Sequence, residues 1–173
     1  MNVPNALTLL RLFLIPVFIL VFFSGSEHNL MYSISIFLIA GFTDVLDGYI
    51  ARKYNLITKW GIVVDPLADK LMLTTVLTCL VIDKYIPLWI LIVVAAKEAS
   101  MIIAGMILYK KNTVIPSNVF GKVSTFLFYV SIFTLAFINS IWGDILLYIA
   151  VASAIIAFIN YFIIYYSNKE KVH

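Results

Sequence analysis

Six long apolar segments constrain this chain more than any other feature of its sequence. They cover approximately residues 7–23, 30–50, 62–82, 86–109, 120–141 and 144–166. Each is close to the roughly 20 apolar residues that an α-helix needs to cross a bilayer, where only helices and closed barrels satisfy their backbone hydrogen bonds. Together they use nearly all of the 173 residues. The segments therefore predict an all-α fold, a single membrane domain of six transmembrane helices over residues 1–173.

The composition supports lipid as the main surrounding of this chain. Hydrophobic residues make up 63% of the sequence and charged residues 12%, whereas a soluble domain is about half apolar and a quarter charged. No room remains for a separate soluble domain, so any active site must be built from the helices themselves. The net charge of +3 is modest, and nothing in the sequence predicts a nucleic-acid partner.

Basic residues are unevenly distributed between the segments that join the helices. One set of connections carries Arg52, Lys53, Lys59, Lys110, Lys111, Lys122, Lys169 and Lys171. The opposite set carries Glu27, His28, Asp83, Lys84 and Asp144. Because cytoplasmic loops are enriched in lysine and arginine, we expect both termini and the basic connections to face the cytoplasm.

Four aspartates lie near the junction of the second and third apolar segments. Asp44 and Asp47 are three residues apart, and Asp65 and Asp69 are four residues apart. Either spacing places a pair on one face of a helix. Carboxylates at membrane depth are costly, so four together need a compensating partner. Two facing pairs would form a pocket for hard divalent cations such as Mg²⁺, Mn²⁺ or Ca²⁺, most simply at a two-metal site.

The alternative explanation for these acids is ion pairing at the membrane surface. For a single aspartate, partners are available among Arg52, Lys53, Lys59 and Lys70. Ion pairing explains all four acids less well, because the paired spacing recurs on two consecutive helices. The small residues Gly48, Ala51 and Gly61 lie around the acids, where a ligand would approach the backbone, although close helix packing also favours small residues.

Residues 44–69 form the pattern Asp-x₂-Asp-Gly-x₂-Ala-Arg-x₈-Gly-x₃-Asp-x₃-Asp. This pattern resembles the signature of the CDP-alcohol phosphatidyltransferase family, and the six-helix plan is similar to the family fold along essentially the whole chain. The eight signature positions are Asp44, Asp47, Gly48, Ala51, Arg52, Gly61, Asp65 and Asp69. The resemblance implies transfer of a phosphatidyl group from a CDP-lipid such as CDP-diacylglycerol to an alcohol, with Mg²⁺ or Mn²⁺ as cofactor and CMP as the other product. It also implies a homodimer.

The resemblance implies a role for each signature residue. Asp44, Asp47 and Asp65 would bind the metal ions. Asp69 would be either a fourth metal ligand or the general base that takes the proton of the acceptor hydroxyl. The positions expected at the CDP-lipid are Gly48, Ala51, Arg52 and Gly61, with Arg52 holding a phosphate or orienting a carboxylate.

The N-terminal sequence Pro-Asn-Ala-Leu-Thr-Leu-Leu-Arg, residues 4–11, is similar to the opening of phosphatidylglycerophosphate synthases and cardiolipin synthases of this family. Asn5, Thr8 and Arg11 follow one another at intervals of three, so they form a polar stripe that would face the nucleotide. We expect Asn5 and Thr8 at the CDP-lipid. A helix cap explains Asn5 equally well.

Basic residues in the second half of the chain bear on the acceptor. Lys122 lies in a Gly-Lys-Val-Ser-Thr segment that resembles one in phosphatidylglycerophosphate synthases. We therefore expect sn-glycerol 3-phosphate as the acceptor, contacted by Lys122, Arg11 and Lys110. A lysine that extends from a helix end to the membrane surface would also explain Lys122.

Lys97 and Glu98 depart from the synthase pattern, which usually has Arg-Glu there and a further arginine where this chain has Gly105. The departure keeps a second acceptor open, phosphatidylglycerol, as in the cardiolipin synthases. Two other classes of protein are less well supported. A cation channel or transporter would have acidic or interrupted segments in both halves of the chain, and only the first half has them. An inactive scaffold of this fold would not need the complete motif.

Overall fold

A computed structural model describes residues 3–54, 59–110, 119–138 and 140–170. Within these ranges the chain forms six α-helices and no strand, which confirms the predicted fold class. The helices are α1 (Val3–Phe22), α2 (Asn29–Lys53), α3 (Lys59–Ile82), α4 (Leu88–Lys110), α5 (Val119–Phe137) and α6 (Ser140–Glu170).

Three of the helical segments meet the length and composition of a membrane span within the described residues. They are Pro4–Phe22, Asn29–Lys53 and Ile141–Asn160, and Val123–Phe137 is a shorter apolar stretch. The apolar sequence of helix α3 is interrupted by charged residues, since Asp65, Asp69 and Lys70 lie in its first half. The chain is thus a polytopic membrane protein in which Asp44, Asp47, Asp65 and Asp69 lie on two consecutive helices.

The helices fall into two compact units, Met1–Pro87 and Leu88–His173. The single membrane domain over residues 1–173 stays a prediction. In the first unit, α1 packs against both α2 and α3, and α2 also contacts α3. Large side chains with almost no exposed surface form its core: Phe18, Phe22, Ile34, Phe37, Met72, Leu77 and Leu80. The packing of α1 between α2 and α3 determines which polar residues meet at the site.

The connection from α1 to α2 is held by the side chain of Asn29. Its Nδ2 donates a hydrogen bond of 2.7 Å to the carbonyl of Phe22, one of the carbonyls that the end of α1 leaves without an intrahelical partner. Gly25 has a φ of 70° in this turn, a backbone conformation that glycine adopts without steric cost. The connection therefore reverses the direction of the chain, so that α2 packs along α1.

The end of α3 has the hydrogen bonds of a Schellman motif. The N–H of Lys84 donates to the carbonyl of Val81 at 3.0 Å, and the N–H of Tyr85 donates to the carbonyl of Leu80 at 2.9 Å. The motif requires a left-handed residue, usually glycine, just after the helix. Here Lys84 occupies that position with a φ of 61°, so the turn carries a backbone cost that glycine would avoid.

In the second unit, α5 and α6 form a helical hairpin, and α4 packs against α6. Trp89 of α4 stacks on Tyr148 of α6, with ring centroids 5.9 Å apart and planes inclined by 3°. Gly143 brings the two helices of the hairpin together: a Cβ atom built on it would lie 2.5 Å from the Cα atom of Leu135. The hairpin thus depends on a residue without a side chain at this crossing.

Candidate active site

The acidic residues predicted to form one pocket lie in the first unit. Asp44 and Asp47 are in the second half of α2, and Asp65 and Asp69 are in the first half of α3. Asp47 is buried, whereas the other three side chains are partly exposed. Asp44 and Asp47 of α2 and Asp65 of α3 are linked through side chains of α1, the helix that packs against both.

Arg11 of α1 joins the two acids of α2. Its Nη1 lies 2.6 Å from Oδ1 of Asp44, and its Nη2 lies 2.6 Å from Oδ2 of Asp47. The Arg11 side chain is completely buried, and Asp44 is the open edge of the group, with 37% of its side chain exposed. A planar guanidinium with fixed donor directions is suited to bridging two carboxylates in this way.

Arg11 and Thr8 also reach Asp65 of α3. Nη1 of Arg11 donates a long hydrogen bond, 3.4 Å, to the backbone carbonyl of Asp65. The hydroxyl of Thr8 contacts the Asp65 carboxylate and lies 3.1 Å from the carbonyl of Pro4. A hydroxyl has one proton, so Thr8 donates to one of these acceptors at a time. We call Arg11, Asp44, Asp47 and Asp65 the acidic cluster.

The acidic cluster keeps an excess of negative charge. Three carboxylates and one guanidinium give these four side chains a formal charge of −2. Asp69 lies one helical turn after Asp65 on α3 and is half-buried. At membrane depth such an excess is costly, and a cationic ligand, or a ligand carried by cations, would relieve it.

The small residues of the motif have different surroundings. A Cβ atom built on Gly48 would lie 3.5 Å from Nη1 of Arg52, so the guanidinium of Arg52 lies back over Gly48. Gly61 is buried near the start of α3, and Ala51 is half-buried on α2. Gly48 directly follows Asp47, and together with Arg52 it forms a surface one turn long on α2.

The sequence profile of the CDP-alcohol phosphatidyltransferase family matches residues 1–156. The match includes the complete acidic cluster and the surface formed by Gly48 and Arg52. The chain belongs to the CDP-alcohol phosphatidyltransferase family. This confirms the resemblance drawn from the motif in residues 44–69.

Several relatives in the CDP-alcohol phosphatidyltransferase family are similar along most of the chain. A Bacillus subtilis (strain 168) protein named CDP-diacylglycerol--glycerol-3-phosphate 3-phosphatidyltransferase is 31% identical, over 93% of this chain and 93% of its own length. A Rickettsia bellii (strain RML369-C) protein of the same name is 36% identical over the same shares, 93% of each. A probable phosphatidylglycerophosphate synthase of Mycobacterium tuberculosis (strain ATCC 25618 / H37Rv) is 35% identical over 72% of this chain and 61% of its own length.

The donor atoms of this phosphatidyltransferase suit a hard divalent cation, since they are carboxylate oxygens. The arrangement of these carboxylates in the structure differs from that of a metal site. Among the residues that the structure describes, no three Asp, Glu, His or Cys side chains are grouped so that they could hold a metal ion. The guanidinium of Arg11 takes the bridging position between Asp44 and Asp47. The assignment of Asp44, Asp47, Asp65 and Asp69 as metal ligands stays a prediction.

The residues predicted to contact the acceptor are only partly described. The side chains of Lys110, on α4, and Lys122, on α5, lie outside the described residues. Lys97 and Glu98 of α4 form a buried ion pair, with Nζ 2.6 Å from Oε1. The cost that the sequence predicts for two charges in an apolar helix is therefore reduced by their mutual contact. The acceptor itself stays a prediction.

The sequence predicts a contact of Arg11 with the acceptor and does not connect Arg11 to the acids. In the structure Arg11 and Thr8 face the carboxylates, while Asn5, three residues earlier, is half-buried near the start of α1. A signal was present in the sequence: Arg11 is the only basic residue of the first apolar segment, and such a residue needs an acidic partner at similar depth. Its acceptor contact and the contact of Asn5 with the CDP-lipid stay predictions.

Proposed function

We propose that this chain transfers the phosphatidyl group of CDP-diacylglycerol to sn-glycerol 3-phosphate, forming phosphatidylglycerophosphate and CMP with Mg²⁺ or Mn²⁺ as cofactor. The observation that carries the proposal is the contact of buried Arg11 with the carboxylates of Asp44 and Asp47 and with the backbone carbonyl of Asp65. Relatives that cover most of the chain support the choice of acceptor, because their names specify glycerol 3-phosphate.

The reaction exchanges the phosphoanhydride linkage of the donor for a phosphate ester linkage to the acceptor. The acceptor hydroxyl oxygen forms a bond to the phosphorus that carries the diacylglycerol, and the bond from that phosphorus to the bridging oxygen breaks. CMP leaves with the electron pair, and the hydroxyl proton goes to a base. Asp69 is our candidate for that base, and a role as fourth metal ligand is the alternative. Divalent cations held by Asp44, Asp47 and Asp65 would neutralise the pyrophosphate of the donor.

The remaining residues of the motif would bind and orient the donor. The set proposed at the CDP-lipid is Asn5, Thr8, Gly48, Ala51, Arg52 and Gly61. Gly48 supports this role because it has no side chain and lies against the Arg52 guanidinium, where a phosphate would meet that guanidinium. Thr8 has a second task, since its hydroxyl contacts Asp65 and helps to orient that carboxylate.

The acceptor side of the site is proposed from charge. Lys122 and Lys110 would meet the phosphate of sn-glycerol 3-phosphate, together with Arg11. The basic connections of the chain support a cytoplasmic position for this side, because cytoplasmic loops usually have an excess of lysine and arginine. We extend the proposal to a homodimer, as the family resemblance implies.

The test uses the purified protein in detergent micelles with CDP-diacylglycerol, and it follows CMP release with Mg²⁺, Mn²⁺ or EDTA. Separate reactions contain sn-glycerol 3-phosphate, phosphatidylglycerol, serine or inositol phosphate. We expect metal-dependent release with sn-glycerol 3-phosphate. No release with any acceptor in the presence of metal would contradict the proposal and leave a scaffold of the same fold.

A matched pair of variants ties the activity to the acidic cluster. Asp44→Asn removes a carboxylate of the cluster, and Asp83→Asn removes an exposed carboxylate in the turn after α3. CMP release should be lost only in the first variant. Asp69→Asn then separates the two roles of Asp69: Mn²⁺ binding without turnover indicates the base, and loss of both indicates a ligand.

A second acceptor is favoured by one feature of the sequence. Gly105 stands where the synthases of the family usually have an arginine, which leaves one positive charge fewer for a small phosphate. CMP release with phosphatidylglycerol and not with sn-glycerol 3-phosphate would assign the chain to the cardiolipin synthase branch.

A further inference from the structure

Arg11 contacts two of the carboxylates that are predicted to bind cations. The guanidinium contacts Oδ1 of Asp44 and Oδ2 of Asp47, each at 2.6 Å. Those are two of the three carboxylates that the proposed function gives to a metal ion. A guanidinium and a divalent cation cannot both lie between them at contact distance, because like charges at such range repel strongly in a partly buried site.

We propose that Arg11 and a divalent cation are alternative counterions of the acidic cluster, so that cation binding displaces the guanidinium from at least one of Asp44 and Asp47. The inference rests on the metal dependence in the proposed function. It makes Arg11 a positioning residue that tunes metal affinity, beyond any contact it makes with the acceptor.

The burial of the arginine explains why it holds the acids in this way. Arg11 is fully buried in α1, and Asp47 is exposed by only 4%. An ionised group without a partner at such depth is strongly unfavourable. Arg11 therefore needs a carboxylate as its partner, and a cation that displaces it from one aspartate leaves the other to pair with it.

The hydrogen bonds of Arg11 indicate that its present position can be exchanged. Within the described part of the chain, Nε of Arg11 is buried without a hydrogen-bond partner, and the contact of Nη1 with the Asp65 carbonyl is long, 3.4 Å. An arginine with five donors usually satisfies more of them. The guanidinium is thus held mainly by its ion pairs with the two carboxylates. A cation that binds one carboxylate removes one of these two ion pairs.

The excess negative charge of the cluster makes this exchange possible. The three carboxylates outnumber the single guanidinium. A divalent cation would neutralise the remaining negative charge. The cation and Arg11 would then both contact carboxylates of the cluster, in a new arrangement. Asp44 is the carboxylate from which displacement would begin, because it is the exposed edge, at 37%, while Asp47 is enclosed.

The experiment measures binding of Mn²⁺ alone, by the loss of the free Mn²⁺ signal in electron paramagnetic resonance, to the full-length protein in detergent micelles. The variants are Arg11→Gln, which removes the charge, and Arg11→Lys, which keeps a charge but lacks the planar fork that bridges two carboxylates. Lys53→Gln is the control, since it removes one positive charge from the exposed end of the same unit.

We expect Arg11→Gln to bind Mn²⁺ about tenfold more tightly than the wild type, Arg11→Lys to be intermediate, and Lys53→Gln to be unchanged. In addition, saturating Mn²⁺ should raise the unfolding temperature of Arg11→Gln by more than it raises that of the wild type. Equal or weaker binding of Mn²⁺ by Arg11→Gln would overturn the inference and make Arg11 a support for the metal ligands. If Arg11→Gln does not fold, Arg11→Lys decides by the same comparison.

Failure of the inference is distinguishable from failure of the proposed function. A wild type that binds no Mn²⁺ and releases no CMP contradicts the proposed function and the inference with it. A wild type that binds Mn²⁺ and releases CMP, with an Arg11→Gln variant that binds Mn²⁺ no more tightly, contradicts the inference alone.

Discussion

Nη2 of Arg11 lies 2.6 Å from Oδ2 of Asp47, and these two side chains are exposed by 0% and 4%. The second contact of the same guanidinium, with Asp44, is also 2.6 Å long, but Asp44 is exposed by 37%. One arginine therefore forms one enclosed and one partly solvated ion pair. The two pairs differ in their contribution to stability more than in their expected contribution to function.

The two aspartates of α2 should separate stability from activity. Asp47→Asn leaves an enclosed arginine with one carboxylate fewer, so the free energy of unfolding should fall by about 3 kcal/mol. Asp44→Asn should cost about 1 kcal/mol or less, because water partly solvates that pair. Both variants should lower CMP release by about 100-fold or more, since each removes a proposed metal ligand. Denaturing-detergent titrations and CMP assays measure the two quantities, and equal stability of the two variants would contradict the prediction.

Thr8→Val tests how the Asp65 carboxylate is oriented. Valine has nearly the same shape as threonine but no hydroxyl, so the contact with Asp65 is lost. We expect kcat to fall about tenfold, the equivalent of about 1.4 kcal/mol, with little change in KM for CDP-diacylglycerol. Thr8→Ser, which keeps the hydroxyl, should restore most of the rate. A rise in KM at unchanged kcat would instead indicate that Thr8 binds the donor directly.

Gly48→Ala tests whether a ligand approaches the backbone of α2. The added methyl group would lie 3.5 Å from the Arg52 guanidinium, an ordinary contact, and alanine is favoured over glycine in a helix by about 1 kcal/mol. The unfolding temperature should therefore stay the same or rise. A fall in CMP release, with a higher KM for CDP-diacylglycerol, would then come from the ligand. Unchanged kinetics would remove Gly48 from the donor site.

Gly143→Ala should destabilise the protein, in contrast to Gly48→Ala, because its new methyl group would overlap with atoms of the protein itself. The added carbon would lie 2.5 Å from the Cα atom of Leu135, and a backbone atom cannot move aside as a flexible side chain can. The helices α5 and α6 would have to separate, at a cost of about 2 kcal/mol by the usual range for overpacking. Thermal unfolding in detergent measures this cost, and a variant as stable as the wild type would show that the hairpin adjusts freely.

Lys84→Gly should stabilise the first unit. Lys84 has a φ of 61° in the turn that ends α3, and a residue with a Cβ atom pays about 1–2 kcal/mol in that conformation. Glycine avoids the cost but loses more chain entropy on folding, so the net gain should be about 1 kcal/mol. Lys84→Ala serves as the control, since it removes the same charge and keeps the Cβ atom. A gain of equal size in both variants would attribute the effect to the charge.

The sequence was sufficient to predict the helices because lipid leaves the backbone little choice. The predicted segments differ from the helices mainly at their ends: residues 144–166 were predicted for the last one, and α6 covers Ser140–Glu170. An apolar segment indicates only the part of a helix that lipid surrounds. The helix itself continues into polar residues such as Lys169 and Glu170, which no apolar pattern can detect.

The sequence indicates that Arg11 needs an acidic partner, but it does not identify which acids Arg11 contacts. The spacing of Asp44 and Asp47 predicts a shared helical face, which is a local property. Their contact with Arg11 joins residues more than thirty positions apart and depends on the packing of α1 against α2 and α3. Several basic residues near the acids in sequence, such as Arg52 and Lys53, were equally reasonable partners until the packing was known.

The placement of Arg11 on α1 also bears on how the chain enters the membrane. Synthesis proceeds from the N-terminus, so α1 enters the bilayer before the helices that carry Asp44, Asp47 and Asp65. The positive charge is then already at membrane depth when the negative charges arrive, so that α2 gains two ion pairs as it joins α1 and α3 gains the hydrogen bonds of Asp65 with Arg11 and Thr8. The order of the charges along the chain thus lowers the barrier to insertion of the two acidic helices.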